Sequence, residues 1–98
     1  MPDHVDDRYE WDEEKSDYTF ARWGFDFQYA CGLFDCDNFI EKEDQRSNYG
    51  EERSICTGRV EGTFITVVYT PRASRKRIIS AWLSDKKEID EYAKWFGI

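Results

Sequence analysis

A two-residue turn, Glu61-Gly62, constrains the fold of this chain more than any other feature of its sequence. It joins two runs rich in β-branched and aromatic residues, 53–60 and 63–70. Two such runs separated by two residues predict a β-hairpin, because the tight turn needs the positive φ that glycine adopts readily. A third run of the same kind, 77–83, follows a polar and basic connection at 71–76. The sequence therefore predicts three antiparallel strands.

The turn also predicts which side chains share a face of the sheet. In a two-residue hairpin Val60 lies opposite Thr63, and opposed residues point to the same face. One face then carries the apolar set that we expect to form the core: Val60, Ile65, Val67, Tyr69, Ile79, Ala81 and Leu83. The other face carries a more polar set: Arg53, Arg59, Ile78, Ser80 and Trp82. A shift of one residue in register would exchange the two faces.

Caps and stop signals predict three helices around these strands. They lie between Asp12 and Gly24, after Asp26, and between Ser84 and Gly97. Trp11, Tyr18 and Ala21 fall near helical spacing in the first helix, and Ile89, Tyr92, Ala93 and Phe96 form an apolar stripe in the last. Short extended pieces are predicted at 9–11 and 38–42. The fold class that follows is α+β, a curled antiparallel sheet with helices packed on one face.

The 98 residues are enough for one domain with one modest core. Most of the net charge of −7 comes from residues 1–14, which hold seven acidic residues and one basic residue, Arg8. We expect residues 1–8 to be a flexible acidic tail and residues 9–98 to be a single domain. The acidic segment is either a solvating tail or an arm that lies against a basic surface.

Cysteine use and hydropathy exclude several classes of protein. Three cysteines, Cys31, Cys36 and Cys56, do not make a disulfide framework. Cys31 and Cys36 lack the close spacing of a zinc knuckle, and the one histidine, His4, lies in a polar tail. We therefore expect reduced thiols, no metal and no cofactor. The sequence has no signal peptide and no long apolar run, so we expect a cytoplasmic protein without a membrane partner.

Three ordered stretches of this chain resemble the BrnT toxin family. The first is Tyr9-Glu10-Trp11-Asp12 with Lys15 three positions on. The second, at 44–53, reads D-Q-R-S-N-Y-G-E-E-R. The third runs from Gly58 through V-V-Y-T to R-I-I-S-A at 77–81, and then to a charged helix holding Glu88 and Tyr92.

The resemblance implies a small RelE-like fold and a ribonuclease that belongs to a type II toxin–antitoxin pair. It implies as partners an RNA substrate and a BrnA-type antitoxin, with operator DNA reached only through the antitoxin. Two steps of the motif differ in this chain. Arg22-Trp23-Gly24 stands where the family usually has K-H-G, and Trp82-Leu83 stands where two arginines usually follow R-I-I-S-A.

Without a histidine pair, RNA cleavage needs other side chains as base, acid and cation. We expect the catalytic residues to be Arg53, Arg77 and Ser80, with arginine gripping phosphate through paired donors. Strand parity puts Arg77 on the opposite face from Ser80, so the strand must bend for both to enter one site. The expected RNA-binding residues are Lys15, Arg22, Arg59 and Trp82.

Each of these residues also has a structural interpretation. The arginines and Lys15 can be ordinary surface ion-pair residues, and Ser80 can be a small residue on a crowded sheet. Trp82 can fill the core or offer a stacking surface to a base. Two functions therefore remain: an active ribonuclease toxin, or a non-catalytic partner that keeps antitoxin binding and operator co-repression.

The last helix supplies a candidate partner-binding residue. It ends Trp95-Phe96-Gly97-Ile98, and Phe96 continues the apolar stripe. Trp95 points about 100° away from that stripe, the turn per residue of an α-helix. We expect Trp95, together with Trp82, to form an exposed apolar patch for the antitoxin.

Overall fold

The computed structural model describes residues 3–46, 48 and 50–98. Predictions for Met1, Pro2, Ser47 and Tyr49 lie outside the described residues. Within the described residues, six strands and three α-helices form. The strands are β1 (Asp3–Val5), β2 (Tyr9–Asp12), β3 (Phe39–Glu43), β4 (Ser54–Val60), β5 (Thr63–Arg72) and β6 (Arg75–Leu83). The helices are α1 (Glu13–Trp23), α2 (Phe27–Ala30) and α3 (Lys86–Phe96), with a 3₁₀ helix at Cys31–Asp35 after α2.

The strands form one sheet in the order β1-β2-β6-β5-β4-β3, which confirms the predicted α+β class. Every neighbouring pair is antiparallel except β2 and β6, which are parallel. The sheet is therefore mixed and not purely antiparallel as predicted. Helices α1 and α2 and the 3₁₀ helix carry the chain from β2 to β3 at the other edge of the sheet, and three antiparallel steps then bring β6 beside β2.

The predicted hairpin is confirmed in turn and register. Glu61 and Gly62 have φ of 50° and 84°, and Val60 lies opposite Thr63. The face that contains Val60 forms the core, where α2 and the 3₁₀ helix pack on it. Its fully buried side chains include Phe27, Leu33, Cys56, Ile65, Val67 and Ile78.

A β-bulge corrects the predicted faces of β6. The register between β5 and β6 shifts between Val68 and Tyr69, so that Ser80 pairs with Val68 but Ile78 pairs with Tyr69. Ile79 is the extra residue of the bulge. The residues of β6 that precede it therefore point to the opposite face from the one predicted. Ile78 consequently lies in the core, 1% exposed, and not on the polar face as predicted.

Helices lie on both faces of the sheet, not on one. The ring of Tyr92 in α3 contacts Phe64 at 5.2 Å between centroids, and Phe64 lies opposite Arg59 on the face away from the core. The N-cap of α3 is Asp85, not Ser84 as predicted. Asp85 and Glu88 form a reciprocal capping box, while the Ser84 hydroxyl bonds to Thr66 at 2.9 Å.

Helix α1 buries polar residues and exposes aromatic ones. Its buried residues are Ser16 and Thr19, and the Ser16 hydroxyl accepts a hydrogen bond from the Phe27 amide at 3.0 Å. Tyr18 is 70% exposed and Phe20 is 59% exposed. Because Tyr18 and Phe20 are two residues apart, about 200° around the helix, they point to different sides of α1.

Part of the predicted acidic tail is a strand. Asp3–Val5 pairs with β2, and the His4 ring stacks on Trp11 at 3.9 Å. Asp6 accepts hydrogen bonds from His4 and from the amides of Arg8 and Tyr9, which lower the pKa of its carboxyl to about 2. Among the described residues, no helix has the length and apolar character needed to cross a membrane.

Candidate functional site

Two of the predicted catalytic residues flank β5 in one row across the sheet. Thr70 on β5 pairs with Arg77 on β6. Extending the β4 register by one residue places Arg53 on the other side of Thr70, and the Thr70 hydroxyl donates to the neighbouring Glu52 carbonyl at 2.6 Å. Two strand spacings separate Arg53 from Arg77, about 10 Å along the sheet. We call Arg53, Thr70 and Arg77 the arginine row.

The bulge at Ile79 brings Ser80 to the face that carries this row. Thr70 and Val68 are two residues apart on β5 and share a face. Their partners Arg77 and Ser80 therefore share it too, although they are three residues apart on β6. Simple parity predicted opposite faces for these two residues, and that prediction is wrong because the bulge supplies the bend that a common site requires.

Each arginine of the row already contacts an acidic side chain. Arg77 lies 3.1 Å from Asp3 and 3.6 Å from Glu10, and its side chain is 19% exposed. Arg53 donates to Glu51 at 3.0 Å and is 22% exposed. Guanidinium binds carboxylate and phosphate through the same paired donors, so these carboxylates occupy positions that a phosphate can take.

Further cations surround the row at this end of the sheet. Arg72 and Arg75 pair across the β5–β6 turn, on the same face as Arg77. Arg72 approaches Glu51 at 3.9 Å, and the Arg75 Nε atom donates to the Asp6 carbonyl at 2.6 Å. The basic connection in the sequence is thus part of the strands, and its arginines extend the positive surface that the row begins.

A groove of about 490 Å³ lies between α1 and β6 and reaches Ser80. Three of the predicted site residues, Lys15, Ser80 and Trp82, line it together with these side chains that the sequence analysis did not assign to the site: Tyr18, Thr19, Trp23, Phe27, Ile79 and Ala81. Tyr18 was considered only for its helical spacing with Trp11 and Ala21, although its position three residues after Lys15 puts both on one side of α1.

The cations and rings of this groove suit a single nucleic-acid strand. The Arg22 guanidinium lies 4.1 Å from the centroid of the Trp23 ring, so Arg22 is beside the groove although it does not line it. Tyr18 is an exposed aromatic ring of the kind on which bases stack, and Lys15 and Arg22 are cations of the kind that contact a nucleic-acid backbone. Ser80 lies where this groove and the arginine row meet.

Trp82 is held by two charged side chains. Its Nε1 atom donates to Glu88 at 3.1 Å, and the Arg46 guanidinium lies 5.3 Å from its ring centroid. Arg46 in turn forms two 2.8 Å hydrogen bonds with Asp44, whose side chain is fully buried. Trp82 therefore contacts Arg46, which follows β3, as well as lining the groove.

Arg59 and Trp95 lie away from this region. Arg59 is at the hairpin end of β4, with its guanidinium 5.3 Å from the Phe64 ring centroid. Six residues of strand place it about 20 Å from Arg53. Trp95 is 75% exposed and lines a separate groove with β3. Trp82 contacts Glu88 in the first turn of α3, whereas Trp95 lies in the last turn of that helix. The prediction that Trp82 and Trp95 form one patch is therefore wrong.

The three cysteines and the histidine lie away from the arginine row. Cys31, Cys36 and Cys56 are free, and burial raises the pKa of the Cys31 thiol to about 12 and that of Cys56 further. His4 lies on the core side of the sheet, stacked on Trp11. Chemistry at the arginine row therefore rests on guanidinium, hydroxyl and carboxylate groups.

Comparison with known proteins agrees with this arrangement of motifs. The family model for BrnT, the ribonuclease toxin of type II toxin–antitoxin systems, matches residues 11–88. That range contains α1, the whole arginine row and the first turn of α3. No curated protein matches the chain. The chain belongs to the BrnT family of ribonuclease toxins of type II toxin–antitoxin systems.

Proposed function

We propose that the chain cleaves RNA at the arginine row, with the strand held in the groove between α1 and β6. The observation that carries this proposal is the bulge at Ile79, which places Arg77 on the same face as Ser80 and in line with Arg53. A bulge costs strand pairing and is usually a retained feature near functional sites. Here it converts three separate polar residues into one surface.

The proposed reaction is attack by the 2′-hydroxyl of RNA on the adjacent phosphate. Arg53 and Arg77 stabilise the negative charge that develops on the phosphorane, and Ser80 donates a hydrogen bond to a phosphate oxygen. Asp3, Glu10 and Glu51 already contact these arginines and are the carboxylates that can accept the hydroxyl proton. As the bond between phosphorus and the 5′-oxygen breaks, the proton passes from that carboxyl group, or from water, to the leaving oxygen. This scheme needs no metal ion and no cofactor.

Purified protein tests the reaction directly. In the presence of EDTA, and with ribosomes either added or left out, we expect it to cut RNA and to leave 2′,3′-cyclic phosphate and 5′-hydroxyl ends. DNA of the same sequence should stay intact because it lacks the attacking hydroxyl. Cleavage that requires a divalent cation, or that leaves 5′-phosphate ends, would contradict the scheme.

A second function is favoured by the charges around the row. Because Asp3, Glu10 and Glu51 neutralise the arginines, and Trp82 replaces a basic residue of the family pattern, the chain can be a non-catalytic partner. It would then bind the antitoxin and support operator repression without cutting RNA. Retained antitoxin binding with no cleavage in the assay above distinguishes this function from the first.

Membership of the family implies an antitoxin partner, and we propose that it is of the BrnA type. In this proposal operator DNA is bound by the antitoxin and contacts this chain only through it. We also assign the protein to the cytoplasm, where RNA and antitoxin are found and where its three free thiols stay reduced.

Trp95 is the proposed centre of the antitoxin surface. Replacing it by alanine should weaken antitoxin binding by at least about 2 kcal/mol, because truncating a central interface tryptophan removes a large apolar contact. The side chain is 75% exposed, so the fold should be unaffected. Calorimetric titration with the antitoxin and a thermal melt of the same variant measure both effects. Unchanged affinity in a folded variant would exclude this surface.

A further inference from the structure

The outer edge of β3 turns backbone groups away from β4, in the direction where another strand can pair. The Asp44 amide donates to the Arg53 carbonyl at 2.8 Å, in the same register that pairs β3 with β4. Since backbone groups alternate in direction along a strand, those of Ile40 and Lys42 also point to β4. The amides and carbonyls of Phe39, Glu41 and Glu43 point outward, and β3 is the last strand of the sheet.

An apolar groove runs beside this edge. It has a volume of about 420 Å³ and lies between β3 and the end of α3, lined by Phe39, Ile40, Glu41, Lys42, Glu91 and Trp95. Phe39 and Ile40 are half-buried, and Trp95 is mostly exposed. An exposed strand edge next to an apolar groove is the arrangement by which peptides add a strand to a sheet.

The charge of the edge selects the chemistry of the incoming strand. Asp37, Glu41 and Glu43 are exposed along it, while Lys42 is neutralised by Glu91 at 2.9 Å. RNA is therefore disfavoured here. A second copy of the chain centred on Glu41 would place Glu41 directly opposite its own equivalent, and like charges opposite one another destabilise a strand pair.

From these observations we infer that the antitoxin binds by adding an extended segment to the outer edge of β3. The segment carries lysine or arginine toward Glu41 and Glu43, and apolar side chains that fill the groove against Ile40 and Trp95. The backbone of Phe39, Glu41 and Glu43 supplies the hydrogen bonds. This inference rests on the proposed antitoxin surface around Trp95 and adds how that surface is used.

Amide hydrogen exchange of the complex tests the inference, with the antitoxin supplied from the neighbouring open reading frame. The outward amides of Phe39, Glu41 and Glu43 should become protected on binding. Glu43→Pro removes an outward donor and should weaken binding about tenfold, since the partner carbonyl loses its hydrogen bond and meets the ring. The matched variant Glu43→Ala also loses the carboxylate but keeps the donor, so the tenfold loss is measured relative to Glu43→Ala.

The outcomes separate this inference from the proposed surface. If Trp95→Ala weakens binding while the three amides stay unprotected, and Glu43→Pro behaves as Glu43→Ala, strand addition is wrong but the surface stands. If Trp95→Ala also has no effect, both are wrong. Protection of these amides in the free protein that rises with its concentration would identify a second copy as the occupant, and would overturn the inference as well.

Discussion

Replacing Arg77 by alanine is expected to lower the rate of RNA cleavage about 10²–10³-fold, the usual cost of removing one preorganised donor from a developing oxyanion. The side chain is half-buried between Asp3 and Glu10, so it is held in place before a phosphate arrives. Arg77→Lys keeps the charge but loses the paired donors, and its rate should fall between those of the wild type and the alanine variant.

Arg59→Ala is the matched control for this prediction. It removes the same side chain from the same face of the sheet, about 20 Å along β4 from Arg53, and should leave the rate of cleavage within a factor of three. Thermal melts show whether each variant is folded. A folded Arg77→Ala protein that cleaves at the wild-type rate would exclude the arginine row as the catalytic site.

Gly58→Ala is expected to destabilise the fold by about 1–3 kcal/mol, because the added methyl group overfills a packed core. Gly58 lies on β4 beneath the 3₁₀ helix, where a Cβ atom would sit 2.9 Å from the Cβ of Phe39 and closer still to Leu33 Cδ1. A loss of this size is a large part of the 5–15 kcal/mol that is typical for a domain. Urea denaturation measures it through the midpoint.

Gly32→Ala is the control for packing at the same interface. A Cβ atom there would meet Val60 Cγ1 at 3.4 Å, which the side chain can accommodate with a small shift. Its free energy of unfolding should stay within about 0.5 kcal/mol of the wild type. If the two alanine variants were equally stable, close packing of the 3₁₀ helix on Gly58 would not be a constraint on this fold.

The central hairpin was predictable from sequence because its information is local. Glu61-Gly62 supplies the backbone conformation of the turn, and a two-residue turn determines the register of β4 and β5. The caps at Asp12, Asp26 and Gly24 were found for the same reason, since each acts within four residues of its own position. Local signals of this kind do not depend on which elements later pack together.

The composition of the site was less predictable because it depends on pairing between distant elements. Ile79 is an extra residue only in the pairing of β6 with β5, and no local sequence signal marks it. The bulge places Ile78 in the core and puts Arg77 on the same face as Ser80. Burial of Ser16 follows from its bond to the Phe27 amide, eleven residues away. The contacts of Arg77 with Asp3 and Glu10 likewise required the parallel pairing of β2 with β6.

Growth after induced expression tests most directly whether this chain is a toxin that acts through the arginine row. The account predicts that the wild-type protein arrests growth and that co-expression of the antitoxin restores it. The double variant Arg53→Ala/Arg77→Ala, present at the same abundance and folded, should not arrest growth. Arrest by the double variant, or normal growth with abundant folded wild-type protein, would contradict the account.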